Sequence, residues 1–391
     1  MTATSPHGGI VIVGGGLAGQ RCAETLRREG CERPIRLICA EAMRPYDRPP
    51  LSKRLLVDRS RDETLTYRPE RWYQDHDVDL LVGVRATGLA PGEHRVRLSD
   101  GSTLRYERLL IGTGARPRTL ALLDRYDNVS TLRTFDDARR LREVFATGAA
   151  LAVIGAGFVG LELAATARGQ GLPVTLVEAA RYPLAGVLGE QLGGWFADLH
   201  EREGATVRSA VTVDAVEGDG SIRTLRLSDG SLVEADHVVV AAGVQPDVEW
   251  LRDSGLHSAG GVPVDARGAT AAADVYAAGD AAATLDRGTG RRIAGAHWEA
   301  AARQGTEAAL AMLGLDSRPA TPASFWTDQY GLRIQYVGEA RGADRIVFDG
   351  DRERRCFTAT FLRAGQAVAV LLVNRPRLLP VARQTIQKGL S

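Results

Sequence analysis

Ile10-Val11-Ile12-Val13-Gly14-Gly15-Gly16-Leu17-Ala18-Gly19 and Leu151-Ala152-Val153-Ile154-Gly155-Ala156-Gly157-Phe158-Val159-Gly160 are the two stretches on which the fold turns. Each opens with four apolar residues, which read as a strand buried on both faces of a parallel sheet. Each then sets three glycines at G-x-G-x-x-G spacing, and the second triplet is displaced from the first by the same number of positions throughout. A helix-like run follows in both: about Leu17 to Glu29, with Ala23 and Leu26 on one face, and a second run carrying Leu163, Ala164 and Ala167. A further strand closes each unit, Ile35 to Cys39 just before Glu41, and Val174 to Val177 ending at Glu178. In a turn of this type the first glycine allows the tight bend. The second lets backbone approach a pyrophosphate, and the third lets helix pack on strand. One such motif is weak evidence, but the repeat continues beyond it.

Arg97-Leu98-Ser99-Asp100-Gly101-Ser102 is echoed by Arg226-Leu227-Ser228-Asp229-Gly230-Ser231, each a hairpin with Asp-Gly at its tip. At equal distances beyond them stand Gly114 and Gly243, each after an apolar strand, followed by Pro117 and Pro246. The chain therefore holds two dinucleotide-binding modules. A later strand, Asp274 to Ala278, runs into Gly279-Asp280 and has no counterpart in the second module, so it is expected to complete the first sheet. From about Thr321, segments 332–337, 345–348, 356–362 and 367–373 read as antiparallel strands, with a helical tail from Arg377 to Lys388. The expected fold is α/β with two Rossmann-like domains, the second inserted in the first, plus a C-terminal α+β domain. The expected boundaries are 1–115 with 243–319, 116–242, and 320–391.

Composition bounds the function. A chain of 391 residues exceeds what one core fills, in keeping with several domains. A formal net charge of +1 supplies no field for nucleic acid or a membrane surface. No apolar run approaches the ~18 residues a membrane span needs, and Met1 to Gly9 is too short and polar for a signal peptide, so a cytoplasmic protein is expected. Cys22, Cys31, Cys39 and Cys356 form no C-x-x-C, and no H-E-x-x-H occurs, so reduced thiols and no metal site are expected. Basic residues are almost all arginine; the only lysines are Lys53 and Lys388.

An acid about 20 residues beyond the glycines receives ribose hydroxyls. Glu41 and Glu178 stand there, and a carboxylate in that place repels a 2′-phosphate. FAD and NADH are the expected cofactors, with Arg181 close enough in sequence to Glu178 to weaken the preference over NADPH. Only the first module is followed by the proline-braced segment Arg44 to Lys53 and receives the Gly279-Asp280 turn. FAD is therefore expected in the first module and NADH in the inserted one.

The sequence resembles the FAD-dependent ferredoxin reductases that feed bacterial haem monooxygenases and Rieske-type ring-hydroxylating dioxygenases, within the glutathione-reductase-like superfamily. The resemblance covers essentially the whole chain. Its specific elements are Tyr46-Asp47-Arg48-Pro49-Pro50-Leu51-Ser52-Lys53 and Phe325-Trp326-Thr327-Asp328-Gln329-Tyr330; Gly112 to Arg118, Gly155 to Glu162 and Tyr276 to Asp280 are shared more widely. It implies that Asp280 binds the flavin ribityl chain and that Arg48 and Lys53 lie along the flavin, with Lys53 near N5. It also implies that Glu162 sits near Lys53 and the nicotinamide, and that the helix from Ala300 to Leu310 points its N-terminus at the flavin pyrimidine edge. Lys53 and Glu162 are the candidate catalytic residues, although Glu162, between Leu161 and Leu163, also suits a solvated helix position. Candidate cofactor contacts, besides the glycines and acids above, are Ala18, Pro49, Thr113, Gly114, Arg118, Gly279, Trp298, Phe158, Val159 and Gly243. His297 departs from the commonest family pattern and is given no role. Trp326 fits a flavin neighbour or plain core.

The implied partner is a 2Fe-2S ferredoxin, with the protein a monomer or weak homodimer. Arg44, Arg48, Arg54, Arg59, Arg61, Arg291 and Arg292 are a candidate docking surface for an acidic partner. Disulfide, peroxide and oxygen reductases need a redox thiol after the first acidic strand, and Glu41 to Lys53 contains no cysteine. An NADH-sensing flavoprotein of the apoptosis-inducing-factor type and an NADH oxidase remain as alternatives.

Overall fold

The computed structural model describes residues 8–285, 290, 292–294, 297–319 and 321–389. The chain divides into two compact units: residues 1–47, 63–116 and 244–320 form one, and residues 48–62, 117–243 and 321–391 the other.

In the first unit a five-stranded sheet has the order Val275–Ala277, Arg108–Ile111, Ile10–Val13, Ile35–Cys39, Val78–Val82. All four pairings are parallel, including Val275 against Leu109, so the late strand does complete this sheet. Alternation along the central strand explains the layers. Ile10 and Ile12 face the helices Leu17–Arg28 and Trp298–Leu313, packing with Ala23, Leu26, Ala308 and Met312. Val11 and Val13 face the other way, onto a three-stranded meander through Leu89, Val96 and Leu98. With both faces covered, every residue of Ile10–Val13 is buried. Burial of each such side chain contributes roughly 1.5–3 kcal/mol. The two helices meet at glycine: a Cβ on Gly305 would fall 2.2 Å from the Ala18 carbonyl oxygen.

The second unit repeats this plan. Its parallel sheet runs Thr206–Ser209, Val174–Glu178, Leu151–Ile154, His237–Val240, Val129–Thr131. A meander covers one face, with Leu225, Leu227 and Val233 against Ala152, Ile154 and Val240. The tips of the two matched hairpins, Gly101 and Gly230, have the same left-handed φ of 84°. The same unit carries a five-stranded antiparallel sheet ordered Ser324–Gln329, Leu332–Gly338, Gln366–Val373, Cys356–Arg363, Arg345–Asp351. The helix Leu379–Lys388 closes its core, with Ala382 and Ile386 on Val337, Val370 and Leu372. The strand Ser324–Gln329 alternates too weakly between apolar and polar residues to announce itself in sequence.

Among the described residues no helix is long and apolar enough to cross a membrane, and no group of three or more His, Cys, Asp or Glu could hold a metal ion.

Candidate functional site

The glycine turns separate what the protein needs from what a ligand needs. Gly14 has φ +122° and a Cβ there would meet the Gly112 carbonyl oxygen at 2.1 Å; a Cβ on Gly19 would meet the Gly14 carbonyl oxygen at 2.1 Å. Gly155, with φ +102°, and Gly160 behave alike, at 2.5 Å from the Ala241 and 2.0 Å from the Gly155 carbonyl oxygens. These four are demanded by the fold itself. At Gly16 and Gly157 a Cβ would meet nothing within 4 Å, and φ is ordinary. Both are helix N-caps without a side-chain cap, so no side chain of the cap residue occupies the start of the helix. That is a cradle shaped for a phosphate, present once in each unit.

Glu41 stands two residues beyond the strand Ile35–Cys39, and Glu178 ends the strand Val174–Glu178. The Tyr46 hydroxyl donates to Glu41 Oε2 at 2.6 Å. Glu178 accepts the Ala156 N–H on Oε2 at 2.6 Å and the Ala180 N–H on Oε1 at 2.8 Å, which locks it across its own glycine turn. Each Glu178 oxygen has a second lone pair able to accept from a ribose hydroxyl. Arg181 lies with its guanidinium 5.4 Å from the Tyr182 ring centroid. Cys39 abuts the first turn, where a Cβ on Gly15 would strike its sulfur at 2.2 Å.

In the first unit Gly279 and Asp280 form a tight turn against Ala18, and the Gly279 N–H donates to Gln304 Oε1 at 2.8 Å. Thr113 donates to the Asp247 carbonyl at 2.7 Å beside Gly114, whose φ is +72°. Trp298, at the start of its helix, donates Nε1–H to Asp47 Oδ1 at 2.6 Å, and Tyr67 approaches the same oxygen at 3.3 Å. Nothing in the segment 44–53 singles out Asp47, because its bond from Trp298 spans 251 positions of the chain.

The second unit brings the two candidate catalytic residues together. Lys53 Nζ lies 2.7 Å from Glu162 Oε1 and 3.1 Å from the Pro49 carbonyl oxygen. Glu162 is 6% exposed, so the solvated reading of that helix position is corrected. Its helix turns it inward because Pro49–Ser52 forms a short 3₁₀ turn against it: Ser52 donates to Glu162 Oε2 at 2.5 Å, and Thr166 donates to the Ser52 carbonyl at 2.8 Å. Thr327 donates to Glu162 Oε1 at 2.7 Å. A buried carboxylate is tolerable only with such a full set of partners. Arg48 donates to the Arg133 carbonyl at 2.6 Å. Phe158 meets Phe325 edge-on at 4.7 Å, and Val159 stands exposed on the first turn of the same helix. Trp326 lies under Arg333, whose guanidinium is 5.2 Å from the ring centroid. Arg118 donates its N–H to Gly243, whose φ is +88°.

The arginine cluster is partly dissolved by the structure. Arg44 pairs with Glu70 at 3.1 Å, and Arg292 donates to the Val264 and Ala283 carbonyls. Arg54 and Arg59 are exposed, whereas Arg291 and the side chain of Arg61 lie outside what the structure describes.

Two family models match this chain. One, described as pyridine nucleotide-disulphide oxidoreductase, covers residues 8–305; the other, described as reductase C-terminal, covers residues 324–391. The chain belongs to the pyridine nucleotide-disulphide oxidoreductase family. It is 35% identical, over 97% of its own length and 92% of the other's, to the ferredoxin–NAD(+) reductase subunit of the benzene 1,2-dioxygenase system of Pseudomonas putida. It is 37% identical, over 97% and 92%, to the ferredoxin reductase component of chlorobenzene dioxygenase of Cupriavidus sp. strain PS12. Its structure matches that of putidaredoxin reductase in a covalent complex with putidaredoxin, with a TM-score of 0.93, 31% identity and coverage of 98% and 94%. This oxidoreductase uses FAD and NAD(H), and the two cradles fit one dinucleotide each.

Proposed function

We propose that the oxidoreductase is a ferredoxin reductase: it takes hydride from NADH and delivers electrons one at a time to a 2Fe-2S ferredoxin serving a haem monooxygenase or a Rieske-type oxygenase. The observation that carries the reading is the doubled glycine turn, each copy followed by an acid at or just beyond the end of its second strand, in a chain without a cysteine between Glu41 and Lys53. Two dinucleotides call for hydride transfer between them, and the missing thiol leaves an outside acceptor. The names of the relatives supply its class.

FAD, when bound, provides the two-electron to one-electron conversion that side chains lack. The protein's part is placement. We assign FAD to residues 1–115 and 243–319, through Gly14, Gly16, Ala18, Gly19, Glu41, Thr113, Gly114, Gly279, Asp280 and Trp298. NADH is assigned to residues 116–242 through Gly155, Gly157, Phe158, Val159, Gly160, Glu178 and Gly243; residues 320–391 form the third domain. Arg48, Pro49, Lys53 and Arg118 are assigned to cofactor contact, with the Lys53 ammonium, fixed by Glu162, offering a positive charge to electron-rich atoms. Three of the four cysteines are buried thiols and none is disulfide-bonded, in keeping with a reducing cytoplasm. We take the working form as a monomer or weak homodimer.

The test is anaerobic oxidation of NADH and of NADPH by the purified yellow protein, with and without a panel of 2Fe-2S ferredoxins. Ferredoxin-dependent cytochrome c reduction with NADH is the expected result. Failure of every ferredoxin to raise it above background would sink the assignment in favour of an oxidase or a sensing flavoprotein.

A further inference from the structure

The carboxylate of Glu162 begins a hydrogen-bonded chain that runs away from Lys53 through the C-terminal hairpin. Thr327 Oγ1 lies 2.7 Å from Glu162 Oε1, and Gln329 Nε2 lies 3.1 Å from Thr327 Oγ1. Gln329 Oε1 lies 3.0 Å from His200 Nε2, and His200 Nδ1 lies 2.9 Å from the Tyr330 hydroxyl. Glu162, Thr327, Gln329 and His200 are all buried.

Every direction in this chain follows from its inner end. Glu162, ion-paired with Lys53, is a carboxylate and can only accept. Thr327 must then spend its one proton on Glu162 and can only accept from Gln329. Gln329 must turn its amide nitrogen to Thr327 and its oxygen to His200. His200 must carry a proton on Nε2 to meet the Gln329 oxygen. Burial holds the ring down at about 4, so above that pH it is neutral in this one tautomer and Nδ1 accepts from the Tyr330 hydroxyl.

The outer end has a second mark. Tyr330 and Gly331 form a two-residue turn closed by the Gln329–Leu332 pair, and both have positive φ, 50° and 74°. Asn-Gly meets that geometry with least strain, and an aromatic residue does not. Tyr330 is held there by its hydroxyl on His200 and by its ring edge-on to the imidazole at 5.0 Å. The charged groups around this end are Glu203, Arg168 and Arg355; Arg355 pairs with Glu203 at 2.6 Å, and Arg168 donates to the Glu203 carbonyl.

We propose that Tyr330, His200, Gln329 and Thr327 form a one-way relay of donors that holds the Glu162 carboxylate in place against Lys53, so that a hairpin of the C-terminal sheet positions the lysine ammonium. They are positioning residues, and the inference rests on the reading of Lys53 and Glu162 as groups that serve the cofactors.

The experiment is ¹⁵N-histidine NMR of the FAD-loaded protein, with His200 assigned by the loss of its signals in His200→Gln. A neutral ring protonated on Nε2 from about pH 6 to 8 is expected. A charged ring, or the proton on Nδ1, overturns the relay. Thr327→Val frees the Gln329 amide to turn, so the His200 signals, three links from Glu162, become a mixture of tautomers; Thr327→Ser restores the single one. Stopped-flow reduction of the flavin by NADH slows about tenfold in Thr327→Val, the effect of one lost hydrogen bond to a charged group, with the apparent affinity for NADH changed less than about twofold. His200 signals unmoved by Thr327→Val overturn the proposal. If Glu162→Gln reduces its flavin as fast as the parent, the functional reading of Lys53 and Glu162 falls instead, and the tautomer still decides the relay.

Discussion

Single residues here carry separable duties, and the glycine turns show it. Gly157→Ala adds a methyl group to open space at a backbone conformation any residue adopts. Its melting temperature should match the parent's, while the dissociation constant for NADH rises at least about tenfold as the methyl group occupies the phosphate's approach. Gly160→Ala puts the same methyl group 2.0 Å from the Gly155 carbonyl oxygen, so it should lose roughly 1–3 kcal/mol of stability. Denaturant melts of both variants beside NADH titrations check the contrast; equal stability losses would show that the second glycine is structural as well.

His200 makes a prediction in pH. Its folded pKa of about 4 lies below the ordinary 6.5, so between these values the unfolded chain binds a proton that the folded chain refuses. The stabilisation is complete above 6.5 and is lost as pH falls through that window, by about 3 kcal/mol at its acid end. Urea midpoints at pH 7 and near pH 4.5 should diverge less in His200→Gln than in the parent. A variant as acid-sensitive as the parent would mean that other groups set the slope.

Among elements, the pairing of helices Leu17–Arg28 and Trp298–Leu313 governs the first cradle. Gly305 lets the second helix touch Ala18, and Ala18 also backs Gly279, next to Asp280. Gly305→Leu should push the helices apart, cost roughly 1–3 kcal/mol, and release FAD during gel filtration. Full flavin retention with a lowered melting temperature would show that the helix contact serves stability alone. The inner strands of the two parallel sheets were legible because buried parallel strands are short apolar runs, and the hairpin tips because Asp-Gly marks them; the edge strands Val78–Val82, Val129–Thr131 and Thr206–Ser209 were not, since partial exposure lets polar residues interrupt them. Ser324–Gln329 was not legible as a strand: its residues are spent on Glu162, Arg333 and His200 rather than on an apolar stripe.

At the scale of the whole molecule, a net charge of +1 leaves no global field, so any steering of an acidic ferredoxin must come from local charge. Of the arginines picked out in sequence, Arg54 and Arg59 are exposed, whereas Arg44 pairs with Glu70 and Arg292 donates to backbone carbonyls. In the double variant Arg54→Glu with Arg59→Glu, kcat/KM for ferredoxin should fall at least about fivefold at low salt, with the difference shrinking as ionic strength rises. Ferricyanide reduction by NADH should be unaffected. A loss that salt does not diminish would place the docking surface elsewhere.

The amino-acid order by itself determined that this chain binds two dinucleotides, one module within the other. Those signals are local: a glycine turn, the strand before it and the acid about 20 residues on are set by backbone geometry over short spans. Only the tertiary structure decided what surrounds Glu162. Ser52 and Thr327 stand 110 and 165 positions from it, and nothing in its helical neighbours Leu161 and Leu163 distinguishes burial from solvent. A carboxylate's state is set by the donors folded around it, and the chain brings those donors together only when both ends of the second unit are in place.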